Sequence, residues 1–139
     1  ARKVMRIGEA SRLSGVSARL IRFYESAGLL TPAGRDANGY RDFDDRNVYE
    51  LRFIKRARTL GFPIKQIIEL LNLWRDKKRP SRKVRALAEI QRKVIVMRME
   101  SHREIIDVLT RLMNSCQGDD RPECPILEDF GSKGIHRKL

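Results

Sequence analysis

Residues 7–30 read IGEASRLSGVSARLIRFYESAGLL, and the punctuation of this stretch decides the fold. A first helix opens near Ile7, a turn falls at Gly15, and a second helix runs from about Ser17 to Ala27. Gly28 then stands where the residue after a helix needs positive φ. The pattern is helix, tight turn, helix. The second helix carries Arg19, Arg22, Phe23 and Tyr24, and a helix-turn-helix offers such side chains to the major groove and its flanking phosphates. A solvated basic helix with a half-buried aromatic would look the same locally, so the segments on either side must separate the two readings.

Downstream, Leu30 to Phe43 is rich in Pro, Gly and Asn, and Asn38-Gly39 is a strong hairpin signal. It predicts a small two-stranded wing bearing Arg35, Tyr40 and Arg41. Asp44 can cap a following helix whose Val48, Leu51, Ile54, Ala57 and Leu60 recur every three residues, with Arg58 near its end at Gly61. Pro63 suits the first turn of another helix that buries Ile64, Ile67, Ile68, Leu71 and Trp74. Two basic surfaces flanking one turn favour DNA over a merely solvated face. Upstream, Met5 reads as a native start and residues 1–4 are set aside, which gives a winged helix-turn-helix domain over residues 5–75.

Residues 76–80, DKKRP, read as a hinge linker. Residues 81–114 contain neither Gly nor Pro. Leu87, Ile90, Val94, Met97, Ser101, Ile105, Val108 and Leu112 fall at spacings of three and four, the signature of one long helix with a narrow apolar seam. At ~1.5 Å per residue it spans roughly 50 Å, further than a domain of this size can cover, so a second copy is expected to cover it. The competing reading, a monomeric hairpin, lacks a breaker to mark the fold-back.

The chain has 139 residues, the length of one modest domain plus an extended element, which excludes a multidomain enzyme. Its net charge is +12 and its pI near 10.4, favouring an acidic partner such as nucleic acid. Residues 1–80 carry eighteen Lys and Arg against nine Asp and Glu, so the basic footprint is N-terminal. No apolar run approaches the ~20 residues needed to span a bilayer. The expectation is a soluble, cytoplasmic, mainly α protein that is not an enzyme.

Residues 7–30, with NGYRDF at 38–43 and LRFIKRARTLGFPIKQIIELL at 51–71, resemble the MerR family of transcriptional regulators. The resemblance covers nearly the whole chain. It implies a winged helix-turn-helix, a long antiparallel coiled-coil dimerisation helix and a short C-terminal effector loop. It also implies DNA contacts at Arg19, Arg22 and Tyr24 on the recognition helix, at Arg35, Tyr40 and Arg41 on the wing, and at Arg58. Phe43 stands where many members have Tyr, so packing is its expected role. The implied activity is to bind an overlong promoter spacer and distort it on effector binding, so that RNA polymerase engages both promoter elements.

The tail, residues 115–130, opens with CQGDDRPEC, a C-x7-C loop from Cys116 to Cys124. Thiolates are soft ligands. Two sulfurs supply half of a tetrahedral zinc site but all that a linear d10 monovalent ion requires. A disulfide between them is the alternative, which would make a thiol-based redox-responsive DNA-binding regulator. Pro125-Ile126-Leu127-Glu128 can start a short helix whose free N–H groups and dipole would offset thiolate charge. His102 and His136 read as surface residues, and residues 131–139 as a flexible tail. The loop followed by CPI resembles the copper-efflux-regulator branch of the family. That resemblance implies Cu(I), with Ag(I) or Au(I) also accepted, and places selectivity at Ser81, where sensors of divalent ions have Cys. Ser81 can serve as a helix N-cap at the same time.

Overall fold

In the computed structural model, residues 3–132 are described, and His136 with the rest of the expected tail beyond Ser132 lies outside them. The chain forms six helices and a two-stranded sheet among the described residues: α1 (Ile7–Ser14), α2 (Ala18–Ser26), β1 (Gly34–Arg35), β2 (Arg41–Asp42), α3 (Asp45–Thr59), α4 (Ile64–Arg75), α5 (Ser81–Ser115) and α6 (Pro125–Gly131). Gly131, expected in the tail, closes α6. Two compact units result, Ala1–Gln91 and Arg92–Leu139.

In the first unit local chemistry sets each boundary. Gly15 closes α1 at φ 74°, its N–H bonding the Ser11 carbonyl. Ser17 then caps α2, its hydroxyl accepting from the Leu20 N–H at 3.2 Å. After α2, Gly28 takes φ 82° and the Leu29 N–H returns to the Tyr24 carbonyl at 2.9 Å, ending the helix as the sequence implies. Asp44 and Asn47 form a reciprocal capping box on α3, with N–H to carboxylate and amide distances of 2.9 and 3.0 Å. Asn47 also donates its Nδ2 to the Thr31 carbonyl, which fastens the loop entering the wing.

Strands β1 and β2 pair antiparallel, with Gly34 opposite Asp42 and Arg35 opposite Arg41. Met5 extends this edge by bridging Phe43. The core gathers Ile21 and Tyr24 from α2, Leu29 and Leu30 after it, Phe43, Leu51 and Ile54 from α3, and Ile67 and Leu71 from α4. Phe43 is fully buried, in keeping with a packing role. Leu60 departs from expectation: it is half exposed because it is the C-cap of α3, where the helical period no longer aims it inward. Its carbonyl accepts from Gln91 Nε2 at 3.0 Å. That bond holds the start of α5 to the first unit, so the unit boundary falls after Gln91 and not in the 76–80 linker.

Helix α5 has 35 residues, about 52 Å at the helical rise. Only Gln91 is buried along it. Leu87, Val94, Ile105, Val108 and Leu112 of the expected seam are half-buried, whereas Ile90, Met97, Ile106, Leu109 and Met113 are exposed. The apolar stripe is therefore broader than the seam read from spacing alone. Among the described residues no helix is long and apolar enough to cross a membrane.

Candidate nucleic-acid interface and metal centre

Helix α2 and the wing line one groove of about 810 Å³, with Arg22, Glu25 and Ser26 on the helix and Gly39, Tyr40 and Arg41 on the wing. Arg6 and Ile7 complete its lining. The structure thus brings together residues that the sequence assigns to two separate surfaces. Arg19 and Arg22 are exposed on α2 and have no hydrogen bond or ion pair among the described residues. Tyr40 is exposed at the wing turn. Arg35 donates its Nη1 to the Gly39 carbonyl at 3.0 Å, which stiffens the hairpin while leaving the side chain on the surface.

Arg41 is half-buried, and its Nε lies 2.5 Å from Glu25 Oε1, so an ion pair ties β2 to α2. This pairing was not legible in the sequence, where Arg41 reads as a free cation. Tyr24, which the resemblance implies as a DNA contact, sits differently from Arg19 and Arg22: it is 2% exposed and its ring belongs to the core. At that point of the helical period the side chain faces α3, and its hydroxyl accepts from Arg58 Nη1 at 3.2 Å. Arg58 itself is exposed, so Tyr24 acts on the surface through it.

Sequence reasoning also missed Arg6 and Asp36. The Arg6 guanidinium lies 5.0 Å from the Tyr40 ring centroid and forms an ion pair with Asp36 Oδ2. No spacing rule links residues thirty positions apart. Only the Met5–Phe43 bridge, which lays the N-terminal segment along the wing, makes them neighbours.

In the second unit Cys116 follows α5 directly, its N–H still bonded to the Leu112 carbonyl at 3.2 Å. Cys124 is the N-cap of α6 and Pro125 its first residue. Both cysteines are free and half-buried. Hydrogen bonds from the Leu127 backbone N–H, and then from those of Ile126 and the Cys116 side chain, hold the Cys124 thiol below its ordinary pKa, against desolvation and the nearby Glu128 carboxylate. The PILE segment does start a short helix directly after Cys124. Between the cysteines, Gly118 takes φ 65° and Arg121 donates to Asp119 through its N–H and Nε, at 3.0 and 2.8 Å, folding the loop on itself.

Among the described residues no cluster of three or more His, Cys, Asp or Glu side chains could hold a metal. His102 is exposed on α5, and its Nδ1 lies 2.7 Å from the Arg98 carbonyl of its own helix. The chemistry on offer is two free thiols at the ends of one loop, one of them at the start of a helix whose backbone N–H groups favour the thiolate form. Such a donor set fits a soft ion of low charge and low coordination number. Ser81 is exposed and is the first residue of α5. It is not the residue before the helix, because the ladder already begins at the Pro80 carbonyl, which accepts from the Lys83 N–H at 3.2 Å.

Comparison with known proteins agrees with this architecture. The profile described as MerR HTH family regulatory protein matches residues 5–74, and one described as MerR, DNA binding matches residues 48–112. The chain is 47% identical over 135 residues to the HTH-type transcriptional regulator HmrR of Sinorhizobium medicae, covering 94% of this chain and 88% of that protein. It is 36% identical over 138 residues to the HTH-type transcriptional regulator CueR of Escherichia coli O157:H7, covering 96% and 98%. Its fold is similar to that of the lead(II)-bound transcription regulator PbrR691 of Ralstonia metallidurans, with a TM-score of 0.80, 31% identity, and 91% and 98% of the two chains covered. With a helix-turn-helix, a wing, a long helix and relatives aligned along most of its length, the chain belongs to the MerR family of DNA-binding transcription regulators.

Proposed function

We propose that the protein is a cytoplasmic, metal-responsive activator that binds promoter DNA as a homodimer and turns on copper, silver or gold resistance or efflux genes. The observation that carries this reading is the thiol pair: Cys116 and Cys124 are free and half-buried at the two ends of one short loop, and Cys124 stands directly before α6. Two thiolates around a monovalent ion leave a net charge of −1, which the backbone N–H groups at the start of α6 offset. A divalent ion would call for further ligands, and the position implied to supply one carries Ser81 instead of Cys. Relatives of Rhizobium meliloti named as heavy metal-dependent transcription regulators support a heavy-metal reading. Cys116 and Cys124 would hold the ion, which would supply the effector signal for activation.

On the DNA side, Arg19 and Arg22 offer guanidinium groups to base edges or phosphates, and Arg35, Tyr40, Arg41 and Arg58 flank them. Tyr24 positions Arg58. The long apolar stripe of α5 is covered in this reading by a second copy, and RNA polymerase is reached only through the distorted promoter. Titration with Cu(I), Ag(I) and Zn(II), with thiol quantitation and a promoter-linked transcription assay, tests it. One monovalent ion per Cys116–Cys124 pair and metal-dependent transcription are expected. Cys116→Ser and Cys124→Ser should each keep operator binding and lose activation. Activation by peroxide or disulfide without metal would establish the redox reading in its place.

A further inference from the structure

The wing turn places an acid where the proposed interface meets phosphates. Asp36 lies between Arg35 and Tyr40, both read as DNA contacts, and the carboxylate organises the turn: its Oδ1 accepts from the N–H groups of Asn38 and Tyr40, each at 2.9 Å. Its Oδ2 pairs with Arg6, whose guanidinium also stacks over Tyr40. Asp36 is ionised at neutral pH: desolvation works against its charge, but Arg6 and the two backbone donors hold its pKa below the ordinary carboxylate value. Left alone, that charge would repel the DNA backbone.

We infer that Arg6 is a further residue of the DNA interface, one that cancels the Asp36 charge and fixes the Tyr40 ring at the wing turn. This rests on the reading of the α2–wing groove as the DNA-facing surface. Arg6 reaches that groove from the residue before α1, where it makes no side-chain cap. Its side chain is half exposed, so its loss opens no core. The task is electrostatic and local: without Arg6, the wing would present a carboxylate beside its own contact residues. A surface pair of this kind is worth little to folding, which separates an interface role from a structural one.

The test compares Arg6→Ala, Asp36→Asn and the double variant in operator binding at several salt concentrations, with thermal melts as a folding check. Asn at position 36 retains an oxygen to accept the two backbone N–H groups and removes only the charge. Arg6→Ala should weaken operator binding about five- to tenfold with an unchanged melt. The double variant should recover most of that affinity, because nothing is left to cancel. A double variant as weak as Arg6→Ala, with its salt slope reduced by about 0.9, would overturn the proposal by making Arg6 a direct phosphate contact. Wild-type affinity in Arg6→Ala, with Arg22→Ala impaired, would overturn it and leave the interface standing. Wild-type affinity in both would remove the interface assignment as well.

Discussion

Arg75→Met should destabilise the N-terminal unit by about 3 kcal/mol. Arg75 ends α4, and its guanidinium pairs with Glu50 Oε2 on α3 and donates to the Leu29 carbonyl at 3.2 Å. The Glu50 side chain is 4% exposed and that of Arg75 29%. Removing one partner of a buried pair costs about 3–5 kcal/mol, because the remaining charge stays desolvated. Two features place this case at the low end. Water reaches part of Arg75, and Asn47 Nδ2 remains 3.4 Å from Glu50 Oε1 as a weak donor. For a urea m-value of about 2 kcal/mol per M, the midpoint should fall by roughly 1.5 M with m unchanged. Glu50→Leu combined with Arg75→Met should regain most of the loss, since an apolar pair carries no desolvated charge. Circular dichroism during urea unfolding of these two variants and of Glu50→Leu alone completes the cycle. A single variant within about 0.5 kcal/mol of wild type, or purely additive effects in the cycle, would refute the reasoning.

Ser81→Cys should add response to Zn(II) or another divalent ion while copper response persists, at little cost in stability because Ser81 is exposed and is not the N-cap of α5; unchanged divalent binding in the folded variant would place selectivity in the Cys116–Cys124 loop. Alkylation of Cys124 by iodoacetamide should show a pH midpoint below the ordinary thiol value of about 8.5, and a midpoint at or above it would contradict the hydrogen bonding at the start of α6. The linked sign is fixed: a thiol pKa lowered by folding adds stability that is complete above the unfolded value and fades as pH falls through the folded one. Tyr24→Phe keeps the ring but removes the acceptor for Arg58, so a loss of about 0.5–1.5 kcal/mol is expected, with weaker operator binding at unchanged Arg19 and Arg22; equal affinity would show that Arg58 does not depend on Tyr24.

The parts of the fold written in local chemistry were legible from the sequence. Gly15, Ser17, Gly28, Asn38-Gly39 and Asp44 each act within four residues of themselves, and each does in the structure what its residue type implies. What escaped detection depends on pairings between distant segments. Periodicity marks Tyr24 as helical but does not say that α3 closes over it. Arg41 and Glu25 are sixteen positions apart, Arg75 and Glu50 twenty-five, and Arg6 and Asp36 thirty. A charged residue in a helix or hairpin reads as solvated unless its partner lies three or four residues away. The cysteine pair was the opposite case, because seven intervening residues keep both sulfurs within one loop and the PILE motif announces the helix that follows Cys124.

The same distinction bears on the meaning of the net charge. Four cations of α3 and α4 donate to neutral acceptors around the first two helices. Arg52 donates twice to the Leu13 carbonyl, at 3.1 and 2.8 Å, and Lys55 to the Gly15 carbonyl at 3.1 Å. Arg58 reaches the Tyr24 hydroxyl and Arg75 the Leu29 carbonyl. Leu13, Gly15 and Leu29 lie at or just beyond helix C-termini, where carbonyls lack helical partners and the dipole favours positive charge. These cations tie α3 and α4 to the ends of α1 and α2. The charge left unpaired at the surface is therefore smaller than the composition implies, and on α2 it rests on Arg19 and Arg22, the two arginines of that helix. A basic sequence of this kind divides its cations between those bound to the fold's own acceptors and those left exposed, and the division follows from which carbonyls the fold leaves unpaired.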